Sequence, residues 1–247
     1  MMDEENLYHK VQEALRKLPE NFNVLEEQID VQLQMDYFGL SGQMKEEGGL
    51  DILQEKRELL YDPLFPEEEK KRILIALATS GSVEDFRWIE KYLKTPDAGL
   101  KEWAILAFQE SRMLMQSSLL DEQQVFISTG LGGKGKSLRY FVVFLNKEGN
   151  SLTALQRNLL KDELKYALEQ EEGELEDFQE LIDFTTATVI LPLKAPLKEI
   201  FSGIIDECNQ YGNFLEDDMV ITNVKKLNPA EILDILQQQR ANPEEGE

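Results

Sequence analysis

At Asp121 the hydrophobic pattern of this chain changes period. Before that point apolar residues recur at spacings of three and four. After it come short runs of β-branched and aromatic residues, Val125-Phe126-Ile127 and Tyr140-Phe141-Val142-Val143-Phe144-Leu145 among them. Spacings of three and four place side chains on one face of a helix, and short β-branched runs suit buried strands. A chain whose pattern changes in this way is expected to be α+β, with an all-α front followed by a mixed α/β domain.

In the front half, Leu7, Val11, Leu15 and Leu18 predict a helix over residues 6–18, stopped by Pro19. Val24, Leu25, Ile29, Leu33 and Phe38 predict a second helix, and the stretch holding Gly39, Gly42, Gly48 and Gly49 reads as a loop or bend. Leu50, Leu53, Leu59 and Leu60 mark a third. Pro66-Glu67-Glu68-Glu69 is a helix start, with proline in the first turn and carboxylates at the positive end of the dipole. Ile73, Leu74, Leu77 and Ala78 form its stripe. Ser82 reads as an N-cap for a helix carrying Phe86, Ile89 and Leu93, and Thr95-Pro96-Asp97 opens one carrying Leu100, Trp103, Ala107 and Phe108. From Pro66 to Leu120 this run of short helices resembles a HEAT or armadillo array, most closely at Leu100–Ala107. That resemblance implies a scaffold with an interaction surface.

In the back half, Gln124–Thr129 and Leu138–Leu145 are expected to be strands joined as a hairpin across a glycine-rich stretch. A helix follows from Leu152 to Leu168. Glu174–Phe184 suits either helix or edge strand. Thr188–Leu191 reads as a strand, Leu197–Ile205 as a helix, Met219–Val224 as a strand, and Asn228-Pro229 as the start of a final helix. With Glu174–Phe184 as a strand, the order is β-α-β-β-α-β, which resembles the ferredoxin-like fold. The expected organisation is a helical array over 1–120, a ferredoxin-like α/β domain with an N-terminal β-hairpin over 121–241, and a disordered acidic tail over 242–247.

One motif suggests nucleotide chemistry. Gly130-Leu131-Gly132-Gly133-Lys134-Gly135-Lys136-Ser137 matches G-x-x-x-x-G-K-[ST]. In a phosphate-binding loop the glycines let backbone N–H groups surround phosphate oxygens, the lysine neutralises them and the serine holds magnesium. That geometry requires a helix after the serine, so that its N-terminus faces the anion. Here a strand sequence follows, and a hairpin turn explains the glycines without a ligand. Gly130, Gly132, Gly133, Lys134, Gly135, Lys136 and Ser137 therefore stand as a candidate anion loop beside a plain-turn reading, with Lys134, Lys136 and Arg139 as solvated charges.

The remaining chemistry is sparse. The chain has one histidine, His9, and one cysteine, Cys208. The usual zinc sites and an intramolecular disulfide cannot be assembled from them, so no metal, cofactor or catalytic residue is expected. The acidic run Glu171–Asp177 lacks the alternating ligands of an EF-hand loop. With 26 basic against 48 acidic side chains the net charge is −22, which disfavours nucleic acid and anionic membrane surfaces as partners. No run approaches the roughly 18 apolar residues of a membrane span, and the N-terminus lacks the apolar core of a secretory signal, so a cytoplasmic location is expected.

The helical front, the hairpin from Thr129 running into Arg139-Tyr140-Phe141-Val142-Val143, and the late Val220-Ile221-Thr222-Asn223-Val224 strand together resemble a family of uncharacterised bacterial proteins. The resemblance spans most of the chain and implies no activity. The expectation is a non-enzymatic interaction or regulatory protein with an unidentified protein partner, with homodimerisation through the α/β domain allowed. The alternative is a phosphate- or nucleotide-binding enzyme or sensor that uses Gly130–Ser137.

Overall fold

The computed structural model describes residues 22–120 and 125–241. The helix expected over 6–18, His9, Gln124 and the acidic tail 242–247 lie outside the described residues. The protein is mixed α and β, in two compact units. One contains Ile29–Ile127 together with the residues leading to Leu25, and the other contains Glu26–Gln28 and Ser128 onward.

The first unit is helical apart from one short pair of strands. β1 (Phe22–Val24) pairs in parallel with β2 (Val125–Ile127), which moves the expected division from 120/121 to 127/128. It also means that Val125–Ile127 is not half of a hairpin with the next strand, and that Val24 does not open a helix. α1 runs over Val31–Glu47. Asp30 caps it, its carboxylate accepting from Gln32 N at 2.8 Å and Leu33 N at 3.3 Å. Gly39 and Gly42 sit inside α1 rather than in a loop, and the helix stops where Gly48 and Gly49 turn left-handed. Two internal glycines cost a helix about 1 kcal/mol each. Tertiary packing of Gln34, Tyr37, Ser41 and Met44 overrides that cost.

α2 (Leu50–Gln54) and a short 3₁₀ turn at Arg57–Tyr61 replace the single expected third helix. α3 (Glu67–Ala78) and α4 (Val83–Tyr92) follow the predicted starts, and Ser82 caps α4 through Glu84 N at 3.2 Å. α5 (Lys101–Leu120) begins later than expected, after a 3₁₀ turn at Ala98–Leu100, and the Asp97 side chain makes no capping hydrogen bond. α3 is the centre of the unit: Ile73 to Ala78 are all buried, on every side of the helix. A helix that is apolar all round belongs in a core, and α2, α4 and α5 each pack on this one.

The second unit is an antiparallel sheet with helices. β4 (Ser137–Asn146) lies at its heart, paired along its length with β6 (Phe184–Pro192). The other edge of β4 is shared by β3 (Gly133–Lys134) over its first residues and β7 (Leu215–Thr222) over its second half. β5 (Glu174–Glu180) pairs with β6, so Glu174–Phe184 resolves into a strand, a turn and the start of the next strand. α6 (Ala154–Gln170), closed by a Thr153–Gln156 capping box, packs on β5, and α7 (Leu197–Gln210) packs on α6 and β7. α8 (Pro229–Ala241) contributes Ile232 to the cluster of Leu131, Phe141, Val143, Leu145, Phe184 and Val220. Phe144, on the alternate face of β4, meets Phe201 of α7 edge-on at 6.1 Å. β4 is thus covered on both faces, which explains an unbroken apolar run where an open strand would alternate.

Candidate functional site

The glycine-rich stretch folds as a tight hairpin between β3 and β4. Gly133 pairs with Leu138 and Lys134 with Ser137, leaving Gly135 and Lys136 as the two turn residues. Gly135 takes φ +61°, and Lys136 is not among the left-handed residues. Glycine in the first turn position with positive φ is the pattern of a primed turn that matches strand twist. Ser137 opens a strand, so no helix N-terminus faces the loop.

Before the turn, the backbone is held at close quarters. Gly132 has φ +67°, and a Cβ there would lie 2.4 Å from Glu26 O and 2.5 Å from Glu27 O. Its N–H donates to Thr129 O at 3.2 Å, while its carbonyl accepts from Thr129 Oγ1 at 3.2 Å and Arg139 N at 3.0 Å. Leu131 N donates to Asn223 O at 3.0 Å. Gly130 and Gly133 are buried, the latter inside the β3–β4 ladder.

Lys134 and Arg139 are matched by the protein's own carboxylates. Lys134 Nζ lies 2.7 Å from Glu174 Oε2, and Gly135 N donates to Glu26 Oε1 at 3.3 Å. Arg139 is the hub. Its guanidinium grips Glu176 in bidentate fashion, Nη2 at 2.8 Å from Oε1 and Nε on Oε2. Its Nη1 donates to Leu131 O at 2.6 Å and reaches Glu26 O at 3.5 Å. A planar fork on a carboxylate is a strong, directional contact. The hydrogen bond from Arg139 holds the Glu176 carboxyl below the usual glutamate range, and the contact with Glu174 raises the Lys134 ammonium. An external anion at this loop would have to displace Glu26 and Glu174.

The sequence reading leaves Arg139 a solvated charge. Its carboxylate partner Glu176 and the Glu26 carbonyl lie 37 and 113 residues away in the chain, so no local pattern could reveal that pairing. Glu26, Glu174 and Glu176 were hidden for the same reason.

Elsewhere, Cys208 is buried and its thiol is pushed up to about 12, chiefly by burial, so it stays protonated. Trp103 is buried and donates Nε1 to Lys71 O at 3.3 Å. Trp88 is half-buried beneath Arg57 and Lys91. Both tryptophans pack in or against the core of the first unit. A buried polar cluster lies on α1 and α5: Glu110 accepts from Tyr37 Oη at 2.7 Å, Ser41 Oγ at 3.0 Å and Lys45 Nζ at 2.7 Å. Among the described residues no group of three His, Cys, Asp or Glu side chains is placed to hold a metal ion, and no helix is long and apolar enough to cross a membrane.

No known family profile matches the chain, and no curated protein matches it. Among solved structures, the chain is similar to a candidate transposase from Deinococcus radiodurans R1 at 15% identity and a TM-score of 0.35. The match covers 42% of this chain and 91% of that one. A likeness at this level carries no argument about fold or activity.

Proposed function

We propose that this chain is a non-enzymatic interaction or regulatory protein, with a HEAT-like helical array in front and a ferredoxin-like domain behind. The observation that carries this reading is the internal pairing of the glycine hairpin. The Gly135 amide meets Glu26, Lys134 meets Glu174 and Arg139 meets Glu176, which suits a structural turn better than a phosphate cradle. Supporting the ferredoxin-like assignment is the sheet order, β7-β4-β6-β5 with antiparallel neighbours, together with two helices that pack on each other and on the sheet. Supporting a partner surface on the helical unit is α1, where Met35 is 63% and Phe38 45% exposed. Beside them Gly39 and Gly42 leave open space, so the strip is apolar and shallow.

Affinity capture from the native cell with wild type and with a Met35→Asp/Phe38→Asp variant tests this reading. The expected result is a partner held by wild type and lost by the variant, with the melting temperatures of the two alike. Turnover of a magnesium nucleotide by the purified protein would contradict it.

A further inference from the structure

At the far end of β4 from the glycine hairpin, the register with β7 breaks. Phe144 pairs with Met219 and Asn146 with Leu215, so Leu145 alone on β4 faces Glu216, Asp217 and Asp218 on β7. Extra residues on one strand bend it and re-aim its side chains, and such irregularities gather beside binding sites. A pocket of about 390 Å³ lies here, lined by Asn146, Asp183, Phe184, Glu216, Leu233 and Leu236 among others. Its size falls within the range of small-ligand sites.

Two independent features give the pocket a sign. Asn146 is only 4% exposed. Its Nδ2 donates to Ile182 O at 3.1 Å, pinning the β5–β6 turn, while its Oδ1 has no hydrogen-bond partner. A buried acceptor without a donor is unfavourable, and Asn146 is among the residues that line the pocket. The carboxylates form the second feature. On β5 every acid has its own cation: Glu174 with Lys134, Glu176 with Arg139, Asp177 with Lys226 and Glu180 with Arg157. Asp183, Glu216, Asp217 and Asp218 have no ion-pair partner among the described residues.

We propose that this pocket binds an alkylammonium or guanidinium group carried on a short aliphatic stem. Asp183 and Glu216 receive the charge, and Phe184, Leu233 and Leu236 receive the methylenes, as apolar surfaces do for lysine and arginine stems. The site excludes anions by the same charges. Either a free diamine or a lysine or arginine side chain of a partner chain supplies this chemistry. The pocket is argued without reference to the α1 strip, so failure of either leaves the other standing.

Isothermal titration of the full chain with 1,5-diaminopentane, and separately with an end-blocked peptide carrying one lysine, tests the proposal. At least one probe should bind saturably with one-to-one stoichiometry. Glu216→Gln and Asp183→Asn should each weaken it about ten-fold, whereas Glu174→Gln, the same charge change on β5, should alter it by less than about two-fold. Leu233→Arg, which swings an internal cation over the pocket at a half-exposed position, should abolish binding without unfolding the protein. Binding of the diamine points to a small-molecule amine, and binding of the peptide alone points to a protein side chain. The proposal fails if neither probe saturates, or if Glu174→Gln weakens binding as much as Glu216→Gln, since that would be diffuse attraction to the net charge.

Discussion

Gly132 and Gly135 both take left-handed backbone, with φ of +67° and +61°, yet a methyl group would meet different surroundings at the two. At Gly135 it would enter open space, and at Gly132 it would run into the carbonyls of Glu26 and Glu27. Gly135→Ala should therefore cost only the left-handed penalty, about 1 kcal/mol. Gly132→Ala adds a backbone clash and should cost about 3 kcal/mol or more, read as the shift in a denaturant midpoint. In a phosphate loop both glycines would matter chiefly to a ligand. A second residue-scale prediction concerns Glu110. Removing it strands Tyr37 Oη and Ser41 Oγ in the core and leaves Lys45 without its carboxylate. Glu110→Ala should destabilise the protein by about 3 kcal/mol, and Tyr37→Phe by about 1 kcal/mol. The motif residues themselves were plain in the sequence. Their partners were not, because Arg139 and Gly135 find Glu26 across more than a hundred residues of chain.

Among the elements, those announced by local chemistry formed where expected. Pro66 with its three glutamates starts α3, Ser82 caps α4, and Asn228 caps α8, its Oδ1 accepting from Glu231 N. Misread elements were those whose identity depends on distant residues. α1 runs through Gly39 and Gly42, and its stripe is hidden in the sequence because two of its buried positions, Gln34 and Ser41, are polar. β2 pairs with β1 rather than β4, a choice no local pattern encodes. β5, open between helix and edge strand on its sequence, is a strand and has no buried residue. Ion pairs to β3, β4, α6 and the segment before α8 accompany its ladder with β6. Exposed pairs are individually weak and are screened by salt. Raising sodium chloride to about 1 M should therefore speed amide exchange in β5 by several-fold while β6, buried along its length, changes little. Acid acts in the same direction. Glu176 has a depressed pKa in the folded state, so its pairing with Arg139 is fully present above the ordinary glutamate range and is lost as pH falls through the depressed value. The protection of β5 amides, taken relative to the intrinsic exchange rate at each pH, should fall with acidification before that of β6, and equal protection changes in the two strands at every salt and pH would contradict this.

For the molecule as a whole, a net charge of −22 surrounds a basic, glycine-rich turn that matches a nucleotide motif. That turn is a hairpin in which Glu26 holds the Gly135 amide, Glu174 holds Lys134 and Glu176 holds Arg139. Thermal unfolding of the wild-type protein with and without magnesium-ATP, magnesium-GTP and inorganic phosphate tests that most directly. A ligand at about 100 times its dissociation constant adds about 2.7 kcal/mol to the folded state, a shift that a melt resolves easily. The account predicts no shift with any of the three, whereas a saturable shift that disappears in Lys136→Ala would contradict it.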